Sequence, residues 1–125
     1  MTVFVFGNPD LASDSLPLRL IPALRQEFPD VHFVIKDPTE DWDTPQELII
    51  IDTVAGIDKV TIFNELDKFV TTPHITLHDF DVGLHLKYLK KLGLLNRVTV
   101  IGVPPTLTEV KALPAVITSL RANLP

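Results

Sequence analysis

Four consecutive branched aliphatic residues, Leu48-Ile49-Ile50-Ile51, run straight into an aspartate, Asp52. A strand with one wet face alternates apolar and polar side chains. A run that is apolar at every position has to be covered on both sides, as in the middle of a parallel sheet. Parallel neighbours cannot be joined by hairpins and need long crossovers, usually helical. This one stretch therefore calls for an α/β chain in which strands and helices take turns.

The rest of the sequence takes those turns. Val3-Phe4-Val5-Phe6 reads as a first buried strand, and Gly7-Asn8-Pro9-Asp10 as the turn that follows it. Leu16, Leu20, Leu24 and Phe28, with Ile21 alongside, put one apolar face on a helix spanning Leu16 to Phe28. Asp14 or Ser15 suits its N-cap and Pro17 its first turn, while Pro22 is expected to kink or shorten it. Val31 to Ile35 is a second strand, with Phe33 and Ile35 on one side. An acidic loop, Thr39 to Pro45, carries the single tryptophan, Trp42. The aliphatic run is the third strand and is expected to end at Asp52. Ala55-Gly56 turns the chain into Val60-Phe63, an antiparallel edge strand.

Residues 64 to 77 give little beyond one helical turn at Leu66, Phe69 and Val70. A helix is expected from Asp81 to Leu92, built on Val82, Leu86 and Leu89 and stopped by Gly93. Val98 to Val103 is the last strand. Thr106-Leu107-Thr108-Glu109 has capping-box spacing, and the helix beyond carries Val110, Leu113, Ile117, Leu120 and Leu124, with an irregularity at Pro114. The expected fold is an α/β three-layer sandwich. It has a mostly parallel five-stranded sheet, one antiparallel edge strand and helices on both faces, in a single domain over residues 1-125.

Composition removes several function classes. There is no cysteine, which excludes a disulfide scaffold, a thiolate metal site and a cysteine nucleophile. The formal charge is −5 and no basic run stands out, so nucleic acid is not an expected partner. No apolar run approaches the roughly 20 residues of a membrane span, and the first residues do not read as a signal peptide. A cytoplasmic protein is expected.

In an open α/β sheet, ligands bind outside the carboxyl ends of the strands. Three residues belong there: Asp14 after the first strand, Asp52 at the third, and His78 before the helix that starts near Asp81. Two carboxylates and an imidazole make a hard-to-borderline ligand set for nickel, zinc or a similar divalent ion. Three protein ligands leave coordination positions open for a substrate. Each residue also has a plain reading. Asp14 can be only a helix cap, Asp52 can bind loop amides, and a lone histidine such as His78 is more often on a surface. His32, His74 and His85 take that surface reading. Gly7-Asn8-Pro9 lacks the glycines and lysine of a P-loop or dinucleotide turn.

Taken together and in order, these motifs resemble those of the hydrogenase maturation endopeptidases. The resemblance is carried by Gly7-Asn8-Pro9 with Asp14, Leu48-Ile49-Ile50-Ile51-Asp52, His78 before Gly83-Leu84, and Val100-Ile101-Gly102-Val103-Pro104. It implies an enzyme that removes the C-terminal extension of the large-subunit precursor of nickel–iron hydrogenase after nickel is inserted. It also implies that Asp14, Asp52 and His78 are the metal-contacting residues, with His74 the alternative histidine. Asp37, after the second strand, falls on a family acid tied to cleavage. The nickel is implied to be supplied by the substrate, held by cysteines of the precursor, with no permanently bound cofactor. The family often has Asp-Asp-Gly or Asp-Glu-Gly where this chain has Ser13-Asp14-Ser15. Pro38-Thr39-Glu40-Asp41 also departs from the small residues usual after the Asp37 position, and the chain ends early for the family.

Those departures keep a second reading in view: a non-cleaving, nickel-sensing chaperone or checkpoint protein of the same fold. A third is a flavodoxin-like or nucleotide-binding domain in which Gly7-Asn8-Pro9 holds an anion. The sequence does not indicate which hydrogenase is served, the cleaved sequence, or the oligomeric state.

Overall fold

The computed structural model describes residues 1–36, 47–64, 76–77 and 97–125. Their elements follow in order. Strand β1 is Thr2–Val5, then comes a short 3-10 turn at Ala12–Asp14, helix α1 at Leu16–Glu27 and strand β2 at His32–Ile35. Next are β3 at Glu47–Ala55, β4 at Thr61–Phe63, β5 at Thr76–Leu77, β6 at Arg97–Val103 and helix α2 at Glu109–Asn123. The main sheet has the order β2-β1-β3-β6-β4. Pairs β1–β2, β1–β3 and β3–β6 are parallel, and β4 lies antiparallel to β6 at the edge. The expected five-stranded, mostly parallel sheet with one antiparallel edge strand is the one observed.

The two-sided burial read from Leu48–Ile51 is also observed. Leu16, Leu20, Ile21 and Leu24 of α1 pack with Ala112, Val116 and Leu120 of α2 over Val3, Val5, Ile49, Ile51, Ile101 and Val103. On the other face, Phe4, Phe6, Leu48, Ile50, Val54, Phe63, Val98 and Val100 form a second buried layer. Each such aliphatic side chain removed from water contributes about 1.5–3 kcal/mol. The helix expected over 81 to 92, the acidic loop with Trp42 and the turn at 66 to 70 lie outside the described residues.

The two helices run parallel, side by side. Arg19 at the start of α1 pairs with Glu109 at the start of α2 at 2.8 Å, and Glu27 at the end of α1 pairs with Arg121 at the end of α2. Parallel neighbouring helices on one face follow from crossovers of one hand between parallel strands. The Arg19–Glu109 side chains are about half exposed, so that pair sets alignment more than stability.

Several expectations are corrected. Pro22 does not shorten α1, and both helices run on past their prolines, Pro22 and Pro114. Both prolines are exposed. The capping residue of α2 is Thr108, whose hydroxyl accepts from Lys111 N at 3.4 Å, and not Thr106. The buried stripe of α2 is Ala112, Val116, Ser119 and Leu120. Leu113, Ile117 and Leu124 flank it, and Val110 is 84% exposed. Small residues at 112 and 119 let α2 sit close to its neighbours, which a reading by size alone does not foresee. Ile35 is 55% exposed although Phe33 is buried, because β2 is the sheet's edge and Ile35 its last residue. Strand β5, antiparallel to the end of β3, is too short to leave a periodic signal.

Gly102 sits opposite Asp52 in the β3–β6 register. A Cβ at this position would lie 2.8 Å from Val54 Cγ2 and 3.0 Å from Phe63 Cε2. Gly102→Ala is therefore expected to destabilise the fold by about 1–2 kcal/mol through overpacking. A urea midpoint lowered at constant slope would show it.

Candidate functional site

The strand order reverses beside β1. The chain leaves β1 for β2 on one side, while β3 joins β1 on the other. A crevice at the carboxyl ends of two strands that flank such a switch point is where open α/β sheets bind ligands. Asp14 and Asp52 come from these two strands, Asp14 from the turn after β1 and Asp52 from β3 itself.

The Asp14 turn is built by local bonding. Asn8 Oδ1 accepts from Asp10 N at 2.9 Å, the Asx geometry that asparagine favours. Leu11 N donates to Asn8 O at 3.2 Å and Asp14 N to Leu11 O at 3.0 Å. Asn8 N donates to Asp14 O at 3.0 Å, which closes the loop back on the end of β1. This closure needs a glycine, because a Cβ on Gly7 would lie 2.7 Å from the Asp14 carbonyl oxygen and 3.0 Å from Leu18 Cγ. The result is a carboxylate-bearing residue only 2% exposed. The N-cap position of α1 is held by Ser15, which makes no side-chain cap bond. Its hydroxyl instead donates to Ala12 O and accepts from Arg19 Nε. Helix capping is therefore not what places Asp14.

Asp52 does not end its strand. β3 continues through Thr53 and Val54 to Ala55, and the register with β6 is unbroken from Glu47–Arg97 to Thr53–Val103. The sequence signal was present in Thr53 and Val54, two β-branched residues after the acid. Asp52 is fully buried. By alternation it shares a face with Leu48, Ile50 and Val54, and its Oδ1 accepts from Thr53 N at 2.8 Å. Thr53 faces the α1–α2 side with Ile49 and Ile51. It is 1% exposed, and its hydroxyl has no hydrogen-bond partner among the described residues. The sequence reading did not single out Thr53.

Buried carboxylates are costly unless something charged or hydrogen-bonding meets them. Asp14 lies in the turn after β1 and Asp52 on the neighbouring strand β3. His78, His74 and Asp37 lie outside the described residues. Among the described residues no three His, Cys, Asp or Glu side chains gather closely enough to hold a metal. His32 is exposed, at the start of β2 and so at the amino edge, as its surface reading required. A shallow recess lined by Met1, Glu47, Arg97 and Asn123 also lies at the amino ends of the strands, away from both acids. No helix among the described residues is long and apolar enough to cross a membrane.

No family model matches the chain, and no curated protein matches it in sequence. Solved structures do match. The hydrogenase-maturating endopeptidase HybD from E. coli is 20% identical with a TM-score of 0.64, over 99% of this chain and 94% of that one. The solution structure of an endopeptidase from Escherichia coli is 22% identical with a TM-score of 0.60, over 99% and 94%. The endopeptidase HycI from Escherichia coli is 16% identical with a TM-score of 0.57, over 99% and 88%. At such identities the likeness speaks for architecture, and it extends almost from end to end of every chain compared. The chain has the fold of the hydrogenase-maturating endopeptidases.

Proposed function

We propose that this protein is an endopeptidase that removes the C-terminal extension of a nickel-loaded nickel–iron hydrogenase large-subunit precursor. The observation that carries the reading is the pair of buried acids, Asp14 in the turn after β1 and Asp52 on β3, the two strands that flank the switch point of this fold. The similarity to HybD and HycI supports the same reading.

In this reading nickel belongs to the substrate. The precursor presents it, and Asp14, Asp52 and His78 complete its coordination. Selectivity then follows from electrostatics. A precursor without nickel would bring no cation to the two buried acids. A loaded precursor brings a positive charge to them, so docking itself reports that the metal is in place. Cleavage needs an activated water and a polarised carbonyl. Asp37 is proposed as the general base that takes the water's proton.

The direct test is the mass of the large subunit after incubation with this protein, with and without nickel. Loss of the extension only from the nickel-loaded precursor is the expected result. An intact mass with tight, nickel-dependent binding would favour the non-cleaving checkpoint protein. A precursor trimmed equally well without nickel would refute the cation-reading role of the acids.

A further inference from the structure

Thr53 stands between the surroundings of both candidate acids. Its amide N–H donates to Asp52 Oδ1 at 2.8 Å. Its side chain leaves the opposite face of β3. The β1–β3 register pairs Val5 with Ile51, and the bond from Phe6 N to Ile51 O carries the ladder past the end of β1. Two residues on, Thr53 comes level with Gly7. Gly7 is the residue against which the Asp14 turn closes, with the Asp14 carbonyl oxygen where its Cβ would be. Adjacent strands are about 4.8 Å apart, so the Thr53 side chain points toward the underside of that turn.

The Thr53 hydroxyl is buried and makes no hydrogen bond to any group among the described residues. Valine would fill the same volume and satisfy the strand without leaving an oxygen in an apolar layer. A threonine here therefore calls for a use of its oxygen, and a water between it and the backbone of the Asp14 turn would have the two or more partners that an internal water needs. We infer that Thr53 is a positioning residue. Its hydroxyl holds one buried water shared with the Asp14 turn, and so fixes where Asp14 stands relative to Asp52. Its amide steadies one acid and its hydroxyl the other. The consequence for cleavage rests on the proposed function, whereas the structural consequence does not.

The experiment compares the wild type with Thr53→Val and Thr53→Ser. Crystal structures of the free proteins, at a resolution that shows solvent, should place an ordered water about 3 Å from the hydroxyl in the wild type and in Thr53→Ser. In Thr53→Val the water should be gone and the Asp14 turn displaced or less ordered. Cleavage of nickel-loaded precursor should fall in kcat by roughly 10- to 100-fold in Thr53→Val, the usual effect of losing a group that orients a metal-contacting side chain. KM should hold, and Thr53→Ser should restore the rate. A dry hydroxyl in the wild type, or an Asp14 turn unmoved in Thr53→Val, overturns the inference. So does wild-type turnover by Thr53→Val. A wild-type protein that cuts no precursor sinks the proposed function instead, and the water and the turn still decide this inference from the crystals alone.

Discussion

Replacing Asp52 with asparagine should abolish most cleavage while leaving the chain folded. Asparagine keeps the shape of the side chain and an oxygen that can go on accepting the 2.8 Å bond from Thr53 N. What it removes is a negative charge in a fully buried position. Losing a charge that acts on the reacting centre inside a dry site costs about 3–4 kcal/mol of transition-state stabilisation, roughly two to three orders of magnitude in rate. Asparagine keeps that bond, so the variant should stay folded and the loss should lie in the rate. Rates on nickel-loaded precursor and a urea titration of the free protein measure the two. Wild-type turnover by the variant would show that Asp52 takes no part in cleavage.

Gly7→Ala should damage both at once. The added methyl group would meet the Asp14 carbonyl oxygen at 2.7 Å, closer than real contacts allow, and Leu18 Cγ at 3.0 Å. The atom in the way is backbone, so no rotamer change relieves it. Either the Asp14 turn lifts off the end of β1 and breaks the bond from Asn8 N to Asp14 O, or β1 shifts against α1. Overpacking that moves backbone costs about 2–3 kcal/mol, and the turn that moves is the one that carries Asp14. The expected outcome is a lowered urea midpoint together with cleavage reduced beyond what the unfolded fraction explains. Alanine tolerated with full activity would mean that the turn can be repositioned freely.

The sheet was legible because its strands carry unambiguous runs. Leu48–Ile51 demanded cover on both faces, and it received it. The order of strands was not legible, since nothing in Val3–Phe6 or Val98–Val103 says which neighbours they choose. Helix positions read from apolar spacing were right for α1, where Leu16, Leu20 and Leu24 are all large. They were rotated for α2, where Ala112 and Ser119 form part of the buried stripe and size is a poor guide. Of the candidate site, Asp14 and Asp52 could be read from their places after apolar runs. Thr53 could not, because a threonine in a strand usually needs no explanation. His78 and Asp37 lie outside the described residues and rest on the sequence resemblance alone.

Asp52 is carried on the longest of the described strands, with β1 on one side, β6 on the other and apolar layers above and below. Such a mount is stiff: its backbone is hydrogen-bonded on both edges, and the amide of Thr53 pins the carboxylate as well. In the proposed role an acid held this way would not bend toward ions of different radius, so the choice of metal would fall to fixed spacing and not to adjustment. Any tuning of that choice would then come from the turn that bears Asp14.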